Sequence, residues 1–285
     1  MSSSGRAVSI HDRLLAKARA DGTDYNMLLI RYSLERFLYR IAASPYRDSF
    51  LLKGALLFDL WYERPRRPTR DVDLLGLEPR DTDEMAAIFR QISTIDCDDG
   101  MSFHPESVRV TVIREDARYG GIRVDLSGLL GTAHCRVRID IGYGDAVTPD
   151  PLMASFPLLL ADNPAPVLKV YPKETAIAEK LEAIVSLGMA NSRMKDYFDL
   201  YVLLGESVPD VAMLGNAVKR TFDRRRTALP EGVPVGLSED FATASGKSTQ
   251  WRAFLSKNKL EAPALEVVIP RIQAAATKLF ILASR

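Results

Sequence analysis

The chain contains little cysteine and little histidine. Its 285 residues include two cysteines, Cys97 and Cys135, and three scattered histidines. Neither cysteine belongs to a CxxC motif. These counts argue against a zinc-type cluster and suit a reducing cytoplasm. The sequence also lacks an apolar run near the ~18 residues of a membrane span, and its start lacks the apolar segment of a signal peptide. We therefore expect a cytoplasmic protein with no membrane partner.

The chain also lacks a strong charge of either sign. Its 38 basic and 37 acidic residues give a net charge of +1. This balance excludes attraction of the whole molecule to nucleic acid, so any such surface must be a local patch. Two basic clusters could form such a patch or could be ordinary solvated faces. They are Arg64, Arg66, Arg67 and Arg70, and Lys219, Arg220, Arg224, Arg225 and Arg226.

Length and periodicity indicate two parts. A chain of 285 residues is long enough for two domains, and its 47% hydrophobic residues support buried cores. Strand-like alternation dominates residues 108–142, and helical periodicity dominates after residue 173. Five prolines between residues 145 and 169 mark a seam. We therefore predict an α+β fold, with one domain over 1–165 and a helical domain over 166–285.

Residues 226–249 are rich in Gly, Pro, Ser and Thr, which predicts a long loop. Its last five residues, Ser245 to Thr249, resemble the end of a P-loop. A P-loop requires a glycine five residues before Gly246, but the chain has Phe241 there, and no strand precedes the segment. We interpret it as a flexible loop rather than a nucleotide site.

The main candidate site is the pair Asp71 and Asp73, which lies in an apolar strand with Val72 and Leu74. Residues two apart in a strand point to the same side, so the two carboxylates lie side by side. Such like charges repel unless a cation lies between them, and magnesium prefers oxygen ligands and also binds nucleotide phosphates. The pair is typical of a nucleotidyl-transfer site, although two strand-edge or capping carboxylates would give the same pattern.

Lys53 and Gly54 precede this pair, and the glycine opens a helix-like run from Ala55 to Trp61. Backbone N–H groups at a helix N-terminus can receive phosphate, and glycine allows a close approach. We expect Lys53 and Gly54 to bind nucleotide, although most Lys-Gly pairs are simple turns.

Asp140 is a carboxylate within the most regularly alternating strand of the sequence, residues 135–142. Two interpretations are open. Asp140 either pairs with Arg136 or Arg138 on the same face, or is a third metal ligand.

Two further candidates lie in the helical part of the chain. Lys180 has apolar neighbours three and four residues away, so it borders a buried stripe and either snorkels to solvent or contacts phosphate. Asp196 and Asp199 share one helical face near Arg193, and a local cluster of ion pairs would explain them.

Six segments together resemble the family of AbiEii/AbiGii-type nucleotidyltransferase toxins, which includes the MenT toxins. They follow the family's order over about 165 residues. They are 35–40 (ERFLYR), 52–58 (LKGALLF), 67–74 (RPTRDVDL), 138–142 (RIDIG), 171–183 (YPKETAIAEKLEA) and 193–200 (RMKDYFDL). Many relatives have a second small polar residue or glycine after the motif glycine, where this chain has Ala55.

This resemblance implies a polymerase-β-like nucleotidyltransferase core with a mixed sheet, followed by a mainly helical lobe. It implies a bacterial toxin, paired with an AbiEi-like antitoxin, that transfers nucleotides from an NTP, for which CTP is one candidate, to RNA. The acceptor would be the 3′ end of tRNA, so that aminoacylation and translation are blocked.

The resemblance also implies roles for single residues. Asp71, Asp73 and Asp140 would hold magnesium, and Asp140 would help to deprotonate the attacking hydroxyl. Lys180 would contact the triphosphate, and Asp196 would support Lys180 or the acceptor. Thr69 matches a position of inhibitory phosphorylation in some relatives. The arginines between Arg64 and Arg70 border the site where RNA phosphates would lie.

Two alternatives belong to other classes of function. One is a non-catalytic nucleotide- or RNA-binding module with the same fold, which the full set of Asp71, Asp73, Asp140 and Lys180 argues against. The other is transfer of a nucleotide or phosphate to a protein or a small molecule.

Overall fold

The computed structural model describes residues 3–62, 67–115, 119–205 and 210–285. The chain divides into two compact units. The sheet unit comprises Met1–Gly144 and Leu152–Val170, and the helical unit comprises Asp145–Pro151 and Tyr171–Arg285. The division into domains at residues 165 and 166 stays a prediction.

One mixed sheet organises the sheet unit. Its strands follow the order β3-β5-β6-β2-β1-β8-β7, and β4 pairs with β5 beside β3. The pairs β2–β6 and β1–β8 are parallel and the others antiparallel. The strands are β1 (Phe50–Lys53), β2 (Val72–Gly76), β3 (Met101–Phe103), β4 (Arg109–Glu115), β5 (Tyr119–Leu130), β6 (Ala133–Tyr143), β7 (Leu152–Ser155) and β8 (Val167–Val170).

The alternation of β6 explains its place in this sheet. Val137, Ile139 and Ile141 are fully buried on one face, while the residues between them are partly or fully exposed on the other. This two-residue period is that of a sheet with one face on the core. The predicted α+β fold with a mixed sheet is confirmed.

Two of the four helices of the sheet unit begin at side-chain caps that the sequence supplies. The Asp24 carboxylate accepts from the backbone N–H of Met27, and Asp81 forms a capping box with Glu84. These contacts satisfy backbone donors that have no partner within the helix. The helices are α1 (Ser3–Asp21), α2 (Tyr25–Ala43), α3 (Leu57–Trp61) and α4 (Thr82–Ser93).

Buried charges tie α2 to distant loops. Arg40 donates to both carboxylate oxygens of Asp99, at 2.7 and 3.2 Å, and both side chains are almost fully buried. Glu35, buried nearby, accepts from the backbone N–H of Leu159 at 2.7 Å and lies 3.2 Å from the guanidinium of Arg36. Burial raises the pKa of Glu35 to about 7, although the hydrogen bond and the arginine oppose this shift. The matching segment at 35–40 therefore forms structural contacts.

The helical unit contains six helices within the described residues. The predicted loop over 226–249 is wrong in part, because α8 and the start of α9 lie within it, and Ser245 begins α9. Ser238 caps α8 by accepting from the N–H of Phe241. The helices are α5 (Lys173–Leu187), α6 (Met194–Gly205), α7 (Val211–Arg225), α8 (Glu239–Thr243), α9 (Ser245–Asn258) and α10 (Leu265–Ala283).

Arg225, at the end of α7, belongs to one of the two basic clusters noted above. Its guanidinium lies 2.9 Å from carboxylate oxygens of Asp145 and of Glu182 and 3.6 Å from Glu179. Three carboxylates therefore hold this arginine inside the helical unit, so it is a structural residue. Among the helices that the structure describes, none is both long and apolar enough to cross a membrane.

Candidate functional site

The strand register places four charged residues in a row across the sheet. Asp73 on β2 lies opposite Lys53 on β1 and beside Asp140 on β6, and Asp140 lies opposite Arg123 on β5. Residues opposite one another in a sheet point to the same face. The row, which we call the charged row, therefore presents two central carboxylates flanked by one cation on each side.

Arg123 binds Asp140 through two hydrogen bonds. Its Nε and Nη2 each lie 2.7 Å from a carboxylate oxygen of Asp140, whose side chain is only 12% exposed. These bonds raise the pKa of the Arg123 guanidinium. Arg136 and Arg138 both donate to Asp125 instead, at 2.9 and 3.0 Å. The ion-pair partner of Asp140 is therefore Arg123. The predicted pairing of Asp140 with Arg136 or Arg138 is wrong, because both of these arginines bind Asp125.

Asp71 immediately precedes β2. The hydroxyl of Thr69 donates to the carboxylate of Asp71, and Thr69 is half-buried. The hydrogen bonds of Asp140 chiefly raise the pKa of Arg123, and the charge of Asp71 contributes to the same shift, so Asp71 acts on the cation at one end of the charged row. The structure therefore brings Asp71 close to the charged row.

Gly54 packs its backbone directly against Asp73. Its φ angle is +76°, and a Cβ atom added to it would lie 2.0 Å from Oδ2 of Asp73. Glycine is required here for two reasons: the left-handed backbone and the space that the carboxylate occupies. The following run begins as a 3-10 turn, Gly54–Leu56, before α3. A contact of Gly54 with phosphate stays a prediction.

The carboxylates of Asp71 and Asp73 fit a magnesium ion that is shared with a nucleotide. Within the described residues, no three Asp, Glu, His or Cys side chains form a ready-made metal cluster. Magnesium commonly binds through one or two carboxylates, with waters and substrate phosphates as its other ligands. Two carboxylates beside a glycine cradle match this pattern, whereas Asp140 is held by Arg123.

The predicted basic loop is only partly described. Arg67 is half-buried and Arg70 is exposed, while Arg64 and Arg66 lie outside the described residues.

In the helical unit, Lys180 on α5 is bound by two carboxylates of α6. Its Nζ lies 3.2 Å from Asp196 and 2.7 Å from Asp199. Lys180 is 14% exposed, and both carboxylates are almost completely buried. Burial opposes the charged form of Asp196, but Lys180, Arg193 and Lys195 lower its pKa overall. The structure thus brings Lys180 and Asp196 together; their roles with nucleotide stay predictions.

The family model described as "Nucleotidyl transferase AbiEii toxin, Type IV TA system" matches residues 36–278. The chain belongs to the AbiEii family. It is thus a nucleotidyltransferase toxin of the type IV toxin–antitoxin kind, as the six sequence segments indicated. The matched range includes all three carboxylates of the candidate site together with Lys180 and Asp196.

The solved structure of a nucleotidyltransferase toxin supports the fold of this AbiEii protein. MenT4, a nucleotidyltransferase toxin from Mycobacterium tuberculosis H37Rv, aligns with a TM-score of 0.57 at 15% identity. The alignment covers 96% of this chain and 89% of MenT4. JHP933 from Helicobacter pylori aligns with a TM-score of 0.48 at 14% identity, over 87% of this chain and 90% of JHP933. No curated protein sequence matches. The predicted nucleotidyltransferase fold, with a mixed sheet and C-terminal helices, is confirmed.

Proposed function

We propose that this AbiEii protein transfers a nucleotide from an NTP to the 3′ end of tRNA and thereby blocks aminoacylation and translation. The observation that carries the proposal is the packing of Gly54 against Asp73, beside Asp71 and within the charged row. The left-handed backbone of Gly54 leaves room for the carboxylate of Asp73 and so fixes that carboxylate in position. Positioned charge is what phosphoryl transfer chiefly requires.

In the reaction, the 3′-oxygen of the acceptor forms a bond to the α-phosphorus of the NTP. The bond from that phosphorus to the bridging oxygen breaks, and pyrophosphate leaves with the bonding electrons. Bound magnesium would neutralise charge that develops on the phosphate oxygens. Asp71 and Asp73 would hold it. Once Arg123 releases Asp140, this carboxylate would join them and accept the proton that the 3′-hydroxyl loses.

Cationic side chains would hold the rest of the substrates. Lys53 lies in register with Asp73, so its ammonium is suited to the phosphates of the NTP, with Gly54 beside it. Arg67 and Arg70, with Arg64 and Arg66 outside the described residues, would contact the RNA backbone. The assignments of Lys180 to the triphosphate and of Asp196 to its support rest on the family resemblance.

Regulation by phosphorylation is part of this proposal. The Thr69 hydroxyl now donates to Asp71. A phosphate on that oxygen would place about two negative charges beside the carboxylate and repel both it and the NTP. The family description implies an antitoxin partner, and we propose that this partner is AbiEi-like.

The test is incubation of total tRNA with magnesium and each of the four NTPs, labelled at the α-phosphate, one at a time. Label should enter tRNA with the unmodified protein and should be absent with Asp71→Ala/Asp73→Ala. Transfer to tRNA whose 3′-hydroxyl has been oxidised should also fail. Label that enters a protein or small molecule instead, or no transfer with any NTP, would refute the tRNA assignment and favour one of the two alternatives.

A further inference from the structure

One edge of β6 is open just before it reaches Asp140. β5 pairs with β6 from Ala133 to Ile141, but β2 pairs with it only from Ile139 to Tyr143. In the part of the chain that the structure describes, no strand covers the other edge of residues 133–138. A cavity of 380 Å³ lies along this edge. It is lined by Asn26, Leu29, Ile30, Arg70, His134, Cys135, Arg136 and Arg138.

The lining of this cavity, which we call the β6 edge cavity, is cationic. Three of its eight residues are arginines and none is acidic. Arg70 is exposed, and the side chain of Arg136 is 64% exposed. Among the residues that the structure describes, Arg136 and Arg138 each reach Asp125 through Nε, which leaves their terminal nitrogens to donate to an anion. The cavity therefore suits phosphate oxygens.

The opposite wall of the β6 edge cavity comes from α2. Ile30 is half-buried and offers apolar surface, Leu29 is almost fully buried, and the exposed Asn26 adds an amide. An apolar wall facing arginines matches a nucleotide, which has a flat base on one side and phosphate on the other.

The direction of β6 connects this cavity to the charged row. His134, Arg136, Arg138 and Asp140 alternate along one face of the strand, at steps of roughly 6.7 Å. Arg138 is thus one step from Asp140, and Asp140 lies beside Asp73 in the register. A polymer that follows the edge would arrive at the carboxylates by its end.

We propose that the β6 edge cavity binds the acceptor RNA strand, one to three nucleotides before its 3′ end. This inference rests on the proposed function, because it takes RNA as the acceptor. It adds Arg136, Arg138 and His134 on β6 to the arginines of the loop before Asp71. Two lining residues adjoin the carboxylates, since Arg70 precedes Asp71 in the chain and Arg138 is one strand step from Asp140, and this favours the reacting strand over an acidic protein as the occupant.

The test measures binding of 5′-labelled tRNA by fluorescence anisotropy, with EDTA present and NTP absent, at several salt concentrations. Arg136→Ala should weaken binding roughly 3- to 10-fold and reduce the slope of log K against log[salt] by about 0.7, the value for one contact to a single strand. Arg70→Ala/Arg136→Ala should reduce the slope by about 1.4. In the transfer assay, Arg136→Ala should raise the KM for tRNA and leave the KM for the NTP unchanged.

Arg90→Ala is the matched control, because Arg90 is an exposed arginine on α4 outside the cavity. Equal binding by wild type, Arg136→Ala and Arg90→Ala would overturn the cavity assignment, while transfer to tRNA by the wild type would leave the proposed function intact. A wild type that neither binds nor labels RNA would overturn both. If Arg136→Ala loses antitoxin binding but keeps RNA binding, the cavity is a protein site and the proposal is wrong.

Discussion

Replacing Gly54 with alanine tests how the fold positions Asp73. The new Cβ would lie 2.0 Å from Oδ2 of Asp73, while ordinary contact begins near 3.4 Å, so the carboxylate must move by about 1.4 Å. The left-handed φ of +76° adds about 1–2 kcal/mol for any residue with a Cβ. A misplacement of ~1 Å in a reacting constellation can cost ~100-fold in rate. We therefore expect Gly54→Ala to lose at least ~100-fold in nucleotidyl transfer.

Gly22→Ala is a control with the same backbone cost and no clash. Gly22 has a φ of +62°, and nothing lies within 4 Å of the position that its Cβ would take. Chemical denaturation should show a loss of about 1–2 kcal/mol for Gly22→Ala, with transfer unchanged. Gly54→Ala should show the same loss of stability and should also lose nucleotidyl-transfer activity. If both variants transfer nucleotide like the wild type, the carboxylate does not depend on Gly54 and the reasoning is wrong.

Two further predictions concern stability. Because the pKa of Glu35 is raised to about 7, the folded state keeps a proton that the unfolded state releases near pH 4.5, so the free energy of unfolding should fall as pH rises between these values. The full loss is about 3 kcal/mol above pH 7. In denaturation series from pH 4.5 to 8, Glu35→Gln should remove this dependence of the free energy of unfolding on pH. The same dependence in Glu35→Gln and the wild type would contradict the assignment. Lys180→Ala leaves Asp196 and Asp199 buried without their shared ammonium and should destabilise the protein by about 3 kcal/mol. Adding Asp199→Asn to that variant should restore part of the loss, and a Tm equal to that of the wild type for Lys180→Ala would refute the buried ion pair.

The pattern of apolar and polar residues within a single segment was enough to predict some helices and strands. α5 begins at Lys173, where the sequence changes to helical periodicity, and β6 contains the whole alternating segment 135–142. The placement of Asp73 in a strand also follows from a period of two, which needs no knowledge of neighbouring strands, whereas Asp71, predicted to lie in the same strand, lies just before it.

Pairing across the sheet could not be predicted in this way. Arg123 and Asp140 are 17 residues apart and meet only through the register of β5 with β6. Polar alternation in β5 was the one signal that Arg123 faces the carboxylates, but arginines within β6 itself were nearer in sequence. The same is true of Gly54 and Asp73, whose contact depends on the antiparallel pairing of β1 with β2.

Composition predicted a loop at a segment where a helix cap and tertiary packing stabilise a helix instead. The segment 226–249 reads as a loop because of its Gly, Pro, Ser and Thr content. Ser238 nevertheless caps α8, and buried Phe241 stacks on Tyr197 of α6. A short helix with weak propensity is thus held by its cap and by one aromatic contact, and neither is visible in composition.

The central claim is that Asp71 and Asp73 support transfer of a nucleotide to the 3′ end of tRNA. The most direct measurement is the mass of the 3′-terminal tRNA fragment after incubation with NTPs and magnesium, for the wild type and for Asp73→Asn, which keeps the side-chain shape beside Gly54. We expect a gain of one or more nucleotide residues with the wild type and an unchanged mass with Asp73→Asn. The same gain with both proteins, or an unchanged mass with the wild type, would contradict it.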